Sequence, residues 1–193
     1  SFNLMKICLI GETSIGKTCL CNSMLGADFD KFSEPTIGAS FYSKKLKNFY
    51  DDKIHIWDTA GQERYRSLSP MYTRDCDIIM LVLYKINCWR NNFEYWIRFY
   101  LKNCGNNTQL MIVFSKMDIV EKAPDNNDIL YVENILTQNN LKSKILFHSS
   151  KNKTGNIEIE KEIINLSKNI SKYRKNTTDI KYGRDEYWCC NIM

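Results

Sequence analysis

The run GETSIGKT at residues 11–18 constrains this chain more than any other feature. It fits the pattern G-x-x-x-x-G-K-[ST], it follows an apolar run at residues 4–10, and helix-forming sequence continues from Lys17. In such a unit the glycines let the main chain wrap an anion, while backbone N–H groups and the lysine point at it. The pattern predicts a phosphate-binding loop, and its place between a strand and a helix disfavours a chance glycine turn.

Apolar runs alternate with helix-like stretches along the chain, which predicts an α/β fold. The predicted strands cover residues 4–10, 41–49, 53–57, 78–84, 110–114 and 145–147, and the predicted helices begin near residue 17 and cover residues 92–102, 129–138 and 157–170. Continuous apolar runs are typical of strands buried on both faces. Tyr50, Asp51 and Asp52 separate the second and third strands and predict an antiparallel hairpin at the sheet edge.

Composition narrows the function classes. The chain has 193 residues, of which 44% are hydrophobic and 25% charged, as in ordinary globular domains. We expect one domain over residues 1–170 and a flexible tail over residues 171–193. The net charge of +5 does not indicate nucleic-acid binding, and no apolar run approaches the roughly 20 residues that cross a bilayer. The eight cysteines are interpreted as reduced thiols, because no export signal accompanies them. The sequence has no CxxC pair, which argues against a structural zinc site.

A second group of residues predicts magnesium-assisted phosphate chemistry. A magnesium-bound triphosphate needs a carboxylate near the metal, and Asp58 follows a predicted strand from which it can reach the phosphate loop. The hydroxyl of Thr18 would bind the same ion. Gly61 can present a backbone N–H to the γ-phosphate, and Gln62 is placed to orient an attacking water.

Five segments together resemble the Ras-like small GTPases, and within them the Rab branch. They are GETSIGKT at 11–18, PTIGASF at 35–41, WDTAGQERYRSL at 57–68, SKMD at 115–118 and SSK at 149–151. The resemblance covers about residues 4–170. It implies a three-layer P-loop NTPase fold with a mostly parallel six-stranded sheet, one antiparallel edge strand and about five helices.

The resemblance also assigns residues to roles. The nucleotide-binding residues would be Thr13, Ser14, Ile15, Gly16, Lys17, Thr18, Cys19, Phe29, Thr36, Gly61, Ser115, Lys116, Asp118, Ser149, Ser150 and Lys151. Thr18, Thr36 and Asp58 would hold Mg²⁺, and Gln62 and Lys17 would be catalytic. Thr36 would belong to the mobile segment switch I, and switch II would run from Gly61 to about Tyr72.

Asp118 decides between ATP and GTP, which share their phosphates. A carboxylate accepts from both guanine N1–H and the 2-amino group, whereas adenine would turn a lone pair toward it. This favours GTP.

Ser115 departs from the family pattern, which has Asn there, and a serine loses one hydrogen-bond donor. We predict nucleotide affinity weakened by about 1 kcal/mol, the scale of one net hydrogen bond.

Two further regions resemble Rab proteins. Phe41, Trp57 and Tyr72 match the aromatic triad that Rab effectors contact, and plain core packing is the alternative interpretation, above all for Trp57. The neighbouring segments look closest to the endosomal Rabs. Cys189 and Cys190 follow a basic segment and resemble a double geranylgeranyl site, while the last four residues also fit C-a-a-X, which points to one farnesyl chain.

The resemblance implies a small GTPase that cycles between GDP- and GTP-bound states, hydrolyses GTP slowly and recruits effectors in vesicular, endosomal traffic. Its partners would be an activating protein, an exchange factor, a prenylation escort, a GDP-dissociation inhibitor and effectors. We expect a monomer on the cytosolic face of intracellular membranes, with a cytosolic pool. The alternatives are a GTP-binding interaction module with little hydrolysis and weakened guanine affinity, and a P-loop ATPase or kinase, which Asp118 disfavours.

Overall fold

The computed structural model describes residues 5–46, 53–86 and 88–182, with side chains described as far as residue 170. Within these ranges six strands form one sheet: β1 (Met5–Ile10), β2 (Ala39–Lys45), β3 (Lys53–Thr59), β4 (Ile78–Leu83), β5 (Gln109–Phe114) and β6 (Ile145–Phe147). The helices of the same ranges are α1 (Lys17–Met24), α2 (Ser69–Thr73), α3 (Trp89–Asn103), α4 (Asn126–Gln138) and α5 (Asn156–Tyr182), and a 3-10 turn covers Glu63–Leu68.

The sheet has the order β2-β3-β1-β4-β5-β6. β2 pairs with β3 antiparallel, with Phe41 opposite Trp57, and every other described pair is parallel. The predicted mostly parallel sheet with one antiparallel edge strand is therefore confirmed. The turn predicted at residues 50–52 lies outside the described residues.

The core lies on both faces of this sheet. Every residue of β4 is buried, and alternate side chains join different clusters. Met80 belongs to a cluster that includes residues of α1 and α5, whereas Leu81 belongs to one that includes residues of α3 and α4. A strand sandwiched in this way has no polar face, which explains the continuous apolar runs. The domain has three layers, as the resemblance implies.

Three helix boundaries differ by three residues or more from the pattern-based prediction, and the first of them is the start of α3, which lies at Trp89 rather than at residue 92. Helix α4 begins at Asn126 rather than 129, because the Asp125 carboxylate accepts from the backbone N–H of Asn127 and Asp128, at 3.0 and 3.1 Å, and starts the helix there. Helix α5 continues to Tyr182, past the predicted end at residue 170 and into the segment predicted as a tail. Residues 183–193 lie outside the described residues, so the predicted tail remains a prediction there.

Candidate functional site

Loops at the carboxyl ends of the parallel strands enclose a cavity of about 400 Å³. Ligands of open α/β sheets bind at this end, where the chain leaves the strands. The structure brings to its wall fourteen predicted nucleotide-binding residues: Thr13, Ser14, Gly16, Lys17, Thr18, Cys19, Phe29, Thr36, Gly61, Ser115, Lys116, Asp118, Ser150 and Lys151. Gln62 lies there as well. Segments far apart in sequence therefore meet around one space.

The phosphate loop connects β1 to α1. Gly16 caps α1 in the left-handed region, with φ of 98°, a conformation that costs glycine little. Lys17 is buried, and its Nζ donates to the carbonyl oxygens of Gly11 and Glu12, at 3.0 and 2.7 Å. Burial lowers the pKa of Lys17 to about 8, although the negative charges of Asp58 and Glu12 act in the other direction and raise it. An anion in the cavity would favour the charged lysine.

Gly61 lies directly against this loop. A Cβ at this position would overlap both the Lys17 Nζ and the Glu12 carbonyl, so the backbone of switch II can approach the loop only through a glycine. The next residue, Gln62, lines the cavity, and its Oε1 accepts from Arg64 Nε at 2.8 Å. The predicted catalytic glutamine is thus next to the phosphate loop.

Asp58 lies behind the cavity wall, at the end of β3, and is fully buried. Its Oδ2 accepts from the hydroxyls of Thr18 and Thr36, at 2.7 and 3.2 Å, and these hydroxyl oxygens are 3.0 Å apart. Burial raises the pKa of Asp58, partly offset by the Thr18 hydroxyl, the charge of Lys17 and the Thr36 hydroxyl. Its Oδ1 is buried without a hydrogen-bond partner. Two hydroxyls and a carboxylate with a spare oxygen fit Mg²⁺, which prefers oxygen ligands.

The predicted base-binding residues follow β5 and β6. Ser149 is buried, and its hydroxyl donates to Asp118 Oδ1 at 2.7 Å, which fixes the carboxylate at the cavity wall. Lys116 has φ of 58°, its stem passes beside Gly16, and its Nζ lies 5.0 Å from the centre of the Tyr84 ring. Phe29 stands half-exposed at the cavity rim. The arrangement offers a carboxylate, an aliphatic stem and an aromatic ring to a planar base.

Ser115 makes a connection that the sequence analysis does not predict. Its hydroxyl lies 2.5 Å from the Ile15 carbonyl oxygen and 3.0 Å from the Leu83 carbonyl oxygen, and a hydroxyl can donate to only one of them at a time. The short side chain therefore still ties β5 to the phosphate loop. Ile15 contributes this carbonyl, while its side chain packs in the core and not at the cavity wall.

Sequence reasoning missed several residues of the cavity wall: Asp30, Lys31, Ser33, Glu34, Pro35, Thr59 and Ile119. Most of them lie between Phe29 and Thr36. Because both of these residues were already assigned to the nucleotide site, the sequence could have predicted that the short segment between them lines the same cavity. The remaining two directly follow assigned residues, Asp58 and Asp118.

The predicted effector triad forms one aromatic row outside the cavity. The ring centres of Phe41 and Trp57 are 5.3 Å apart and those of Trp57 and Tyr72 are 5.9 Å apart. Phe41 is 49% exposed, and Trp57 and Tyr72 are partly exposed at the edge of the core.

Cys189 and Cys190 lie outside the described residues, and their lipidation stays a prediction. No helix in the described part of the chain is long and apolar enough to cross a bilayer.

Residues 6–118 match a family model described as Ras of Complex, Roc, domain of DAPkinase. The chain is 31% identical to the GTP-binding protein YPT53 of Saccharomyces cerevisiae over 161 residues, which are 78% of this chain and 70% of that protein.

Two further relatives are Ras-related proteins. Rab-5B of Plasmodium falciparum is 36% identical over 121 residues, 61% of this chain and 58% of the relative. Human Rab-22A is 34% identical over 122 residues, 61% of each chain. The alignments thus span about three fifths of these two proteins and somewhat more of the yeast protein.

Proposed function

Because this chain belongs to the Ras-like small GTPase family, with Rab proteins among its relatives, we propose that it cycles between GDP- and GTP-bound states, hydrolyses GTP to GDP and phosphate, and recruits effectors in vesicular traffic. The observation that carries the proposal is the convergence of the phosphate loop, Asp58 and Asp118 on one cavity region. A phosphate cradle, a metal carboxylate and a base-reading carboxylate are the three parts that a guanine nucleotide switch needs.

In the hydrolysis step this chain positions groups and stabilises charge. Lys17 would leave its two carbonyl partners, the Gly11 and Glu12 oxygens, to face the β- and γ-phosphates, and the Gly61 N–H would face the γ-phosphate. Gln62 orients the attacking water from the cavity wall. Thr18, Thr36 and Asp58 would hold Mg²⁺, which would act as a Lewis acid toward the phosphate oxygens.

Turnover by the chain alone would be slow. The two arginines that follow Gln62 are engaged with other side chains, Arg64 with Gln62 and Arg66 with Glu12. An activating protein would therefore supply the missing positive charge in trans. An exchange factor would restore GTP, and the protein would act as a monomer.

Base selectivity would come from Asp118. Its carboxylate, held by the Ser149 hydroxyl, would accept from the N1–H and 2-amino group of guanine. The backbone N–H of Ser150 would meet the guanine O6. Adenine offers neither matching donor at these positions, so the site would reject ATP.

The switch would be read at the aromatic row of Phe41, Trp57 and Tyr72. Thr36 of switch I donates to Asp58 and, by the family resemblance, would also contact the γ-phosphate. Loss of that phosphate would then release switch I and change the surface beside this row. A prenylation escort and a GDP-dissociation inhibitor would handle lipid chains on Cys189 and Cys190. The protein would then attach to the cytosolic face of endosomal or vesicular membranes and keep a cytosolic pool.

A direct experiment separates GTPase, binding module and ATPase. The purified full chain is denatured and the released nucleotide identified, and phosphate production is then measured with GTP and with ATP. We expect bound guanine nucleotide and slow phosphate release from GTP alone, with release lost in Gln62→Leu while GDP binding remains. Guanine nucleotide without any hydrolysis would favour the binding module, and equal use of ATP would refute the proposal.

A further inference from the structure

The side chain of Glu12 joins three elements outside the cavity wall. Glu12 is the second residue of the phosphate loop, and both its carboxylate oxygens accept from Arg66 Nη2, at 2.8 and 2.6 Å. Arg66 lies in the 3-10 turn of switch II. The pair is partly buried, with side chains 20% and 34% exposed. We call this ion pair the Glu12–Arg66 clasp.

Helix α3 holds the clasp from the other side. The indole N–H of Trp96, a buried residue, donates to Glu12 Oε1 at 3.2 Å. The Arg66 guanidinium lies 4.9 Å from the centre of the Tyr95 ring, within the range of a cation–π contact. Such additional partners fix the geometry, which distinguishes the clasp from an exposed ion pair that contributes little.

The clasp lies close to the part of switch II that contains the proposed catalytic residue Gln62. Gly61 already packs against the Glu12 carbonyl, the same oxygen that accepts from Lys17. Residues 61–66 are therefore attached to the phosphate loop at both ends, and Gln62 lies between the two attachments. Without the clasp only the Gly61 end would be held by Glu12.

From this placement we propose that Glu12 and Arg66 are positioning residues for hydrolysis: the clasp holds switch II so that Gln62 faces the cavity, and it contributes little to nucleotide binding. The inference rests on the proposed function and adds two residues to it. Displacing a catalytic group by about an ångström can cost a large factor in rate without changing binding.

The test is a double-mutant cycle on the full chain with Glu12→Ala, Arg66→Ala and both together. We expect each single change to slow single-turnover GTP hydrolysis roughly tenfold and leave GDP affinity within about twofold. The double variant should be no slower than the slower single variant, because the pair acts as a unit. Glu12→Gln keeps the side-chain shape and replaces Glu12→Ala if that variant does not fold.

A second readout does not depend on activity. Hydrogen–deuterium exchange of the backbone amides of residues 63–68 in the GDP-loaded protein should become faster in every clasp variant. Arg98→Ala is the matched control, because it removes an exposed ion pair with Glu94 on the same helix, at 3.2 Å. We expect it to change neither hydrolysis nor exchange at residues 63–68.

Three results would overturn the proposal: unchanged hydrolysis in the clasp variants, unchanged exchange at residues 63–68, or GDP affinity falling in parallel with the rate, which would indicate a merely structural role. Wild-type protein that releases no phosphate from GTP would instead refute the proposed function. In that case the exchange measurement still decides whether the clasp holds switch II.

Discussion

Replacing Asp128 by asparagine is expected to lower the free energy of unfolding by about 2 kcal/mol at neutral pH. Asp128 is 4% exposed in the first turn of α4, where its carboxylate binds Lys85 Nζ at 2.5 Å and Arg90 Nη2 at 2.9 Å. Lys85 also donates to the Ala123 carbonyl, at 3.0 Å. Lys85 lies in the loop that follows β4, and Asp128 of α4 supplies the negative charge that pairs with it.

The magnitude follows from the pKa of Asp128. Burial alone would raise this pKa, but the hydrogen bonds from Lys85, Arg90 and the Asp125 backbone outweigh burial and lower it from 3.8 to about 2. This difference corresponds to about 2.5 kcal/mol of stability. We reduce it to about 2 kcal/mol because Arg90 is 45% exposed and partly screened by water.

The pH dependence has a definite sign. A carboxyl whose pKa is lower in the folded protein stabilises it above the unfolded pKa of 3.8, and this stability is lost as the pH falls toward 2. The difference between wild type and Asp128→Asn should therefore be full at pH 7 and shrink below about pH 4.

Thermal unfolding followed by circular dichroism, with equal nucleotide and Mg²⁺ throughout, measures this difference. About 2 kcal/mol corresponds to a melting temperature lower by roughly 4–8 °C in a domain of this size. The control is Lys122→Gln, which removes the exposed Lys122–Asp125 pair at 3.2 Å and should cost less than about 0.5 kcal/mol. Equal effects of the two substitutions, or a difference for Asp128→Asn that persists undiminished at pH 3, would refute the reasoning.

Three further predictions concern the nucleotide and the membrane. Asp118→Asn should weaken GDP binding by roughly a hundredfold and favour xanthosine diphosphate, because the amide can donate to the carbonyl that xanthine carries at position 2; equal GDP titrations of both proteins would contradict this. Ser115→Asn should tighten GTP binding by about 1 kcal/mol, roughly fivefold, since an amide can donate to Ile15 and keep a second donor; an unchanged dissociation constant would count against it. Changing both Cys189 and Cys190 to serine should move the full chain from membranes to the soluble fraction in cell fractionation, and an unchanged distribution would exclude lipid anchoring there.

The parts of the molecule that sequence predicted depend on local pattern. β6 has the bounds that its apolar run predicts, and the phosphate loop lies between β1 and α1 because its glycines and lysine act within one short segment. Asp58 and Asp118 were found for the same reason, since each is defined by the residues beside it and by the end of a strand.

The missed features depend on side chains that meet only after folding. Glu12 and Arg66 are 54 positions apart, and Ser115 and Ile15 are 100 positions apart. Nothing in the neighbourhood of either residue specifies its partner, because the contact is set by how the helices and loops pack on the sheet. The start of α4 was missed for a different reason: the capping residue Asp125 resembles an ordinary loop residue until its carboxylate is seen to accept backbone N–H groups.

The partners of Lys17 have a consequence for how the protein meets its nucleotide. The ammonium is held by two neutral carbonyl oxygens, those of Gly11 and Glu12, and not by a carboxylate. An arriving phosphate therefore competes with backbone dipoles and has no side-chain ion pair to break at this lysine. The loop already places a cation where the phosphate would bind, so capture would exchange two hydrogen bonds to carbonyl oxygens for contacts with the anion.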